Sequence, residues 1–125
     1  MQKDLRFEAR DLKLFAQPVD SGTLRRGEVY FAVNFFDDAM RVPTLKPVVF
    51  AGKDLEPGDV GQVYFQDIDS YNCGVQYDAA LSDSTAVFER GDANSLGHIF
   101  EFEHALEELM RCSLRRKRHD SSGKQ

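Results

Sequence analysis

The sequence predicts an α+β fold: a mainly antiparallel curved sheet, or a small partly open β-barrel, carrying one C-terminal amphipathic helix. Three observations lead there. Gly27-Glu28-Val29-Tyr30-Phe31 and Gly61-Gln62-Val63-Tyr64-Phe65 each set a polar residue and then Val-Tyr-Phe behind a glycine. That β-branched and aromatic chemistry suits a pleated, buried surface. Strand-like segments fill the chain before one helical pattern takes over from Glu103, and such segregation favours an antiparallel sheet. No stretch alternates helix and strand as a parallel α/β sheet requires.

Leu5, Phe7 and Ala9 share one alternation and Leu12, Leu14 and Ala16 the other. The switch near Arg10-Asp11 predicts a bulge or two short strands, because a one-residue slip reverses the faces. Pro18 to Gly27 is a connection with a turn at Asp20-Ser21-Gly22. Glu28–Phe36 is the strongest strand and ends at Asp37-Asp38. It is apolar on both faces, so it needs cover on both sides, from barrel curvature or a second subunit as well as the helix. A homodimer is one way to supply that cover.

Pro43 and Pro47 place Met40–Gly52 at a sheet edge, or in a bent entry to Val48–Ala51, because each lacks a ladder donor. Pro57-Gly58 is a turn and Gln62–Ile68 the second strong strand. Asp69 to Gly74 reads as a turn, Val75–Tyr77 as a brief return, and Thr85–Glu89 as another strand, followed by a loop at Gly91–Asn94. Leu96 to Glu103 fits strand and helix alike. Beyond it, Phe102, Leu106, Leu109, Met110 and Leu114 form one stripe at 3.6 residues per turn, with His104, Glu108, Arg111 and Arg115 opposite. Leu109 is thereby expected in the core. Glutamates early in this helix and arginines late complement its macrodipole.

A chain of 125 residues can bury one self-sufficient core. Residues 1–117 are expected to form that single domain, and residues 118–125 a disordered basic and polar tail. Hydrophobic residues at 42% and charged ones at 30% exclude disorder of the whole chain. The charged start lacks an apolar signal segment, and no apolar run is long enough to span a bilayer. Two cysteines, Cys73 and Cys112, fit reduced thiols better than a disulfide scaffold. A cytoplasmic protein without membrane attachment is the expectation.

The net charge of −5 is unevenly spread: residues 1–27 carry +2, residues 28–110 carry −12 and residues 111–125 carry +5. The acidic body repels nucleic acid, while the C-terminal tip attracts anions. Asp37-Asp38 and Asp67-Ile68-Asp69 are the obvious carboxylate groups. The latter begins like a calcium loop but lacks its later glycine and glutamate, so turn chemistry and edge protection are the stronger reading. His98, His104 and His119 have no zinc-ligand spacing, and neither cysteine belongs to a Cys-x-x-Cys pair. No metal and no cofactor is therefore expected. A Cys73–His98 nucleophilic pair has only composition behind it, and no nucleophile elbow, phosphate loop or dinucleotide fingerprint occurs.

The leading expectation is a small protein-binding, adaptor or inhibitor module of the immunity type, without catalysis. It would meet a basic protein partner through an acidic surface around Asp37-Asp38, Asp54–Asp59 and Asp67-Asp69. A second reading is a small-molecule-binding or hydrolytic domain, its pocket in the curved sheet and walled by Tyr30, Tyr64, Asp67 and His98. A third is a nucleic-acid regulator acting through Arg111, Arg115, Arg116 and Lys117. Acid-rich surroundings and the absence of interleaved aromatics weigh against that one.

Overall fold

The computed structural model describes residues 3–13, 17–77 and 88–123. A 3₁₀ turn at Ser21–Thr23 leads to strands β1 (Val29–Phe35), β2 (Pro43–Lys53) and β3 (Gln62–Asp67). A one-turn helix α1 (Ile68–Asn72) follows, then β4 (Phe88–Asp92), β5 (Ile99–Phe100) and the long helix α2 (Phe102–Gly123). The strands form one open antiparallel sheet in the order β4-β3-β2-β1-β5, with a register shift between Phe50 and Gly52. Such a bulge bends the strand and adds twist. The protein is an α+β fold with an open sheet rather than a closed barrel.

The two Val-Tyr-Phe segments open β1 and β3, on opposite sides of β2. Gly27 (φ 83°) and Gly61 (φ 68°) both occupy the left-handed region that side-chain-bearing residues avoid. At Gly27 a Cβ would also stand 3.0 Å from the Tyr71 hydroxyl. Each tyrosine then reaches back five residues to tie down the preceding turn: Arg25 N–H donates to the Tyr30 hydroxyl at 3.0 Å, and the Tyr64 hydroxyl donates to Asp59. The two segments nonetheless face opposite ways. Tyr30 shares a core with Val63 and Phe65, which leaves Tyr64 on the other side of the sheet.

On that front face, Tyr30, Ala32, Val48, Phe50, Val63, Phe65 and Ile99 form the main core. Leu24 and Leu96 cover it, with Val19 and Ala93 packed alongside. Connecting segments of the same chain thus pack over this face. On the back face, Val33 and Phe100 meet Ala105 of α2, with Phe31 and Phe35 against them. Tyr64, Gln66 and Phe88 occupy the rest of that face, and the Gln66 amide donates to the Val75 carbonyl at 2.7 Å.

Four expectations need correction. Residues 3–13 carry no strand, and Leu5 and Phe7 are exposed; the second half of the expected alternation, at 14–16, lies outside the described residues. A strand needs a neighbour to take its backbone groups, and alternation alone supplies none. Second, β2 is central in the sheet, not an edge. Its prolines are tolerated because Phe50 exchanges bonds with Gly27 and Glu28, and Val42 accepts from Phe36 N–H, at the two ends of β1, which assigns the even-numbered residues of β2 to that ladder. Pro43 and Pro47 face the other way, where β3 pairs only from Val48↔Asp67 onward. Third, β3 stops at Asp67 rather than Ile68, and Ile68–Asn72 is helical in place of the turn expected from Asp69 to Gly74, because the Asp67 carboxylate caps it at Ser70 N–H (2.9 Å); Val75–Tyr77 forms no strand. Of the strand expected at Thr85–Glu89, residues 85–87 lie outside the described residues, and β4 takes up Phe88 and Glu89.

The fourth concerns α2. Its buried residues are Ala105, Arg111 and Cys112, whereas Phe102 is 63% and Leu114 44% exposed, with Leu106, Leu109 and Met110 half-buried. The small side chain of Ala105 lets the helix approach Val33 and Phe100, and the buried Cys112 follows two turns later on the same side, so the docked face is rotated from the bulky stripe. Leu114→Ala is therefore expected to leave the urea midpoint within about 0.5 kcal/mol of wild type. Ala105→Leu should cost about 1–3 kcal/mol through overpacking. Equal losses in both would place the wrong face on the sheet. Among the described residues, no helix is long and apolar enough to cross a membrane.

Candidate functional site

The side of α2 that docks also builds a cleft of about 410 Å³ against β1 and β5. Val33, Phe35 and Phe100 supply apolar walls, and His98, Arg111 and Arg115 bring polar groups to it. The strand ladder places His98, since Val33 N–H donates to its carbonyl at 2.9 Å.

Arg115 spans from the helix to the β1–β2 turn. Its Nε donates to the Met40 carbonyl at 2.8 Å, its guanidinium lies 5.2 Å from the Phe35 ring centroid, and Glu108 stands 3.5 Å from Nη2. Met40 itself holds φ 58°, a costly backbone for a side chain of its size. The turn keeps that conformation because Asp37 accepts from the N–H groups of Arg41 (2.9 Å) and Val42 (2.8 Å). Arg111 is only 7% exposed. Its Nε donates to the Lys13 carbonyl at 2.6 Å, while Nη1 and Nη2 have no hydrogen-bond partner among the described residues. The Glu107 carboxylate, at 3.9 Å, is beyond hydrogen-bond range. A buried guanidinium whose two terminal nitrogens lack partners is an unfilled demand for an acceptor, and Arg111 is among the residues that line the cleft.

The remaining sequence-selected residues are dispersed. Asp37 and the exposed Asp38 belong to the β1–β2 turn, and Asp67 and Asp69 to the start of α1. Tyr64 lies on the back face beyond β2, in a network where its hydroxyl and Arg90 (3.5 Å) both hold Asp59, and its ring stands 5.1 Å from that of Tyr77. The Tyr77 hydroxyl donates to Glu56. Arg116 and Lys117 line a separate groove with Pro43 and Leu109. The structure thus unites His98, Arg111 and Arg115 and leaves the carboxylates, Tyr64, Arg116 and Lys117 elsewhere. Tyr30 faces the front core, so Tyr30, Tyr64, Asp67 and His98 do not share one pocket. Phe35, Phe100 and Glu108 were not singled out by sequence. The signal for them was the small residue Ala105, which marks where a helix can come close.

Local hydrogen bonds tune several of these groups. Loss of water raises the Asp37 carboxyl, but the Val42 and Arg41 N–H groups outweigh it and hold it below its ordinary value. Ser70 does the same for Asp67 through its backbone N–H and then its hydroxyl, and Tyr64 does so for Asp59. Desolvation, and then Asp59, push Tyr64 upward. A carboxylate with a depressed folded-state pKa stabilises the fold above its unfolded pKa, with an ordinary value of 3.8 here. That contribution disappears as pH falls through the lower folded value. Asp67→Asn is therefore expected to lower the urea midpoint at pH 6, with a smaller gap from wild type at pH 3. An identical gap at both pH values would mean that the charge contributes nothing.

Among the described residues, no three His, Cys, Asp or Glu side chains converge as metal ligands would. No family model, no curated protein and no solved structure matches the chain.

Proposed function

We propose that the chain is a non-catalytic binding module that holds an anionic group in the cleft between α2 and the β1–β5 side of the sheet. The buried Arg111, with Nη1 and Nη2 unpartnered among the described residues, carries this reading. Arg115 and His98 at the same cleft support it, as do the apolar walls, which suit a ligand only part of which is charged. The test is a protein-observed NMR titration of the full chain with paired anionic and uncharged small molecules. Anions should shift the Val33, His98, Phe100 and Arg111 amides in a saturable manner, and their uncharged counterparts should not. Absence of cleft shifts with every anion would end this reading.

A second reading keeps the acidic module that meets a basic protein. It is favoured by one juxtaposition: Ala93 N–H donates to the Gly61 carbonyl at 2.8 Å and so brings Asp92 beside the Asp54–Asp59 hairpin. Capture of a basic partner that weakens with salt and with Asp54→Asn, yet is indifferent to Arg111, supports it. Capture that depends on Arg111 excludes it.

A further inference from the structure

We infer that the anion the cleft accepts is a monocarboxylate on an apolar body, the chemistry shared by a small aromatic or aliphatic acid and by the free C-terminus of a peptide. The inference rests on the cleft being the binding site.

Three observations narrow the class. Because Lys13 occupies Nε of Arg111, the nitrogens left open are the two at the end of the guanidinium fork. Two parallel N–H donors match the two oxygens of one carboxylate, a planar pairing that a lysine ammonium does not offer. Charge then sets the valence. Arg111 and Arg115 bring two positive charges to the cleft, and two carboxylates already face them: Glu108, its side chain 12% exposed and 3.5 Å from Arg115 Nη2, and Glu107, 3.9 Å from Arg111 Nη2 and shared with Arg10 at 3.6 Å. A ligand with a single negative charge is repelled least by these carboxylates, whereas a phosphate dianion would meet both. Finally, Val33, Phe35 and Phe100 make the sheet side of the cleft mainly apolar, with Asn34 and His98 its polar side chains, so a mostly apolar body is favoured.

Calorimetric and NMR titrations of the full chain test this with N-acetylphenylalanine, its uncharged amide, benzoate, a tetrapeptide ending in a free phenylalanine carboxylate, and inorganic phosphate. At least one carboxylate should bind with shifts centred on Arg111, and replacing the acid by its amide should weaken binding by about 10-fold or more. Benzoate binding as well as the tetrapeptide identifies a free acid as the source; binding of the tetrapeptide alone identifies a chain terminus. Arg111→Lys, shown to be folded by its amide dispersion, should lose about 10-fold in affinity because it keeps the charge but not the fork. Glu108→Gln should improve phosphate relative to the carboxylates. Phosphate bound as tightly as the best carboxylate, or affinity unchanged in Arg111→Lys, overturns the carboxylate inference while leaving an anion cleft in place. Silence of the cleft amides to every probe removes the cleft reading itself.

Discussion

Phe50→Ala is expected to lower the stability of the protein by about 3–5 kcal/mol, the usual cost of emptying an aromatic site in a packed core. Phe50 is 3% exposed, sits on the central strand, and packs its ring 5.6 Å from that of Phe65. It adjoins the register shift before Gly52, where the strand is already bent. Ladder bonds on both sides limit how far the backbone can collapse into the vacancy, so the upper half of the range is the expected outcome. Domains of this kind hold about 5–15 kcal/mol in total, and the urea midpoint should fall steeply with the slope unchanged. Phe36→Ala is the matched control. That ring is 79% exposed, and its removal should stay within about 0.5 kcal/mol. Similar losses for the two would mean that the front-face core is wrongly drawn.

Arg111→Met should act in the opposite direction, raising stability by up to about 2 kcal/mol. The guanidinium leaves two buried nitrogens without partners among the described residues, and such a group carries a desolvation cost of about 1–3 kcal/mol. Methionine keeps an unbranched apolar stem in the same space. The hydrogen bond to the Lys13 carbonyl is lost, about 1 kcal/mol in return. Glu107 retains Arg10 at 3.6 Å. The thermal midpoint should therefore rise while anion binding disappears, the pairing expected of a residue kept for function at the expense of stability. Arg111→Ala should fall below wild type, since it also empties the space of the stem. A lower midpoint in Arg111→Met would show that the arginine holds the fold together and would remove the chief support for the cleft.

The candidate site was only partly visible in the sequence. Arg111 and Arg115 stood out as charge, and charge on a helix ordinarily faces water. Glu107, four residues before Arg111, is at the spacing of an i,i+4 pair, an arrangement common on exposed helix faces. What overrides that pattern lies far away in the chain. The Lys13 carbonyl receives Arg111, the Met40 carbonyl receives Arg115, and β5 brings His98 alongside Val33. None of these neighbours leaves a mark in the local pattern around the helix.

The sequence by itself determined the α+β class, strands β1 and β3 with their leading glycines, the turn at Asp20 and the existence of α2. Each of these depends on backbone preferences and periodicities that span only a few residues. Only the tertiary structure decided that the proline-bearing β2 lies at the centre, that Tyr30 and Tyr64 face opposite sides, and which face of α2 is buried. Those outcomes follow from register and from close approach at Ala105, where pairing among distant residues outweighs the local pattern. The same close approach carries Arg111 out of water and onto the cleft.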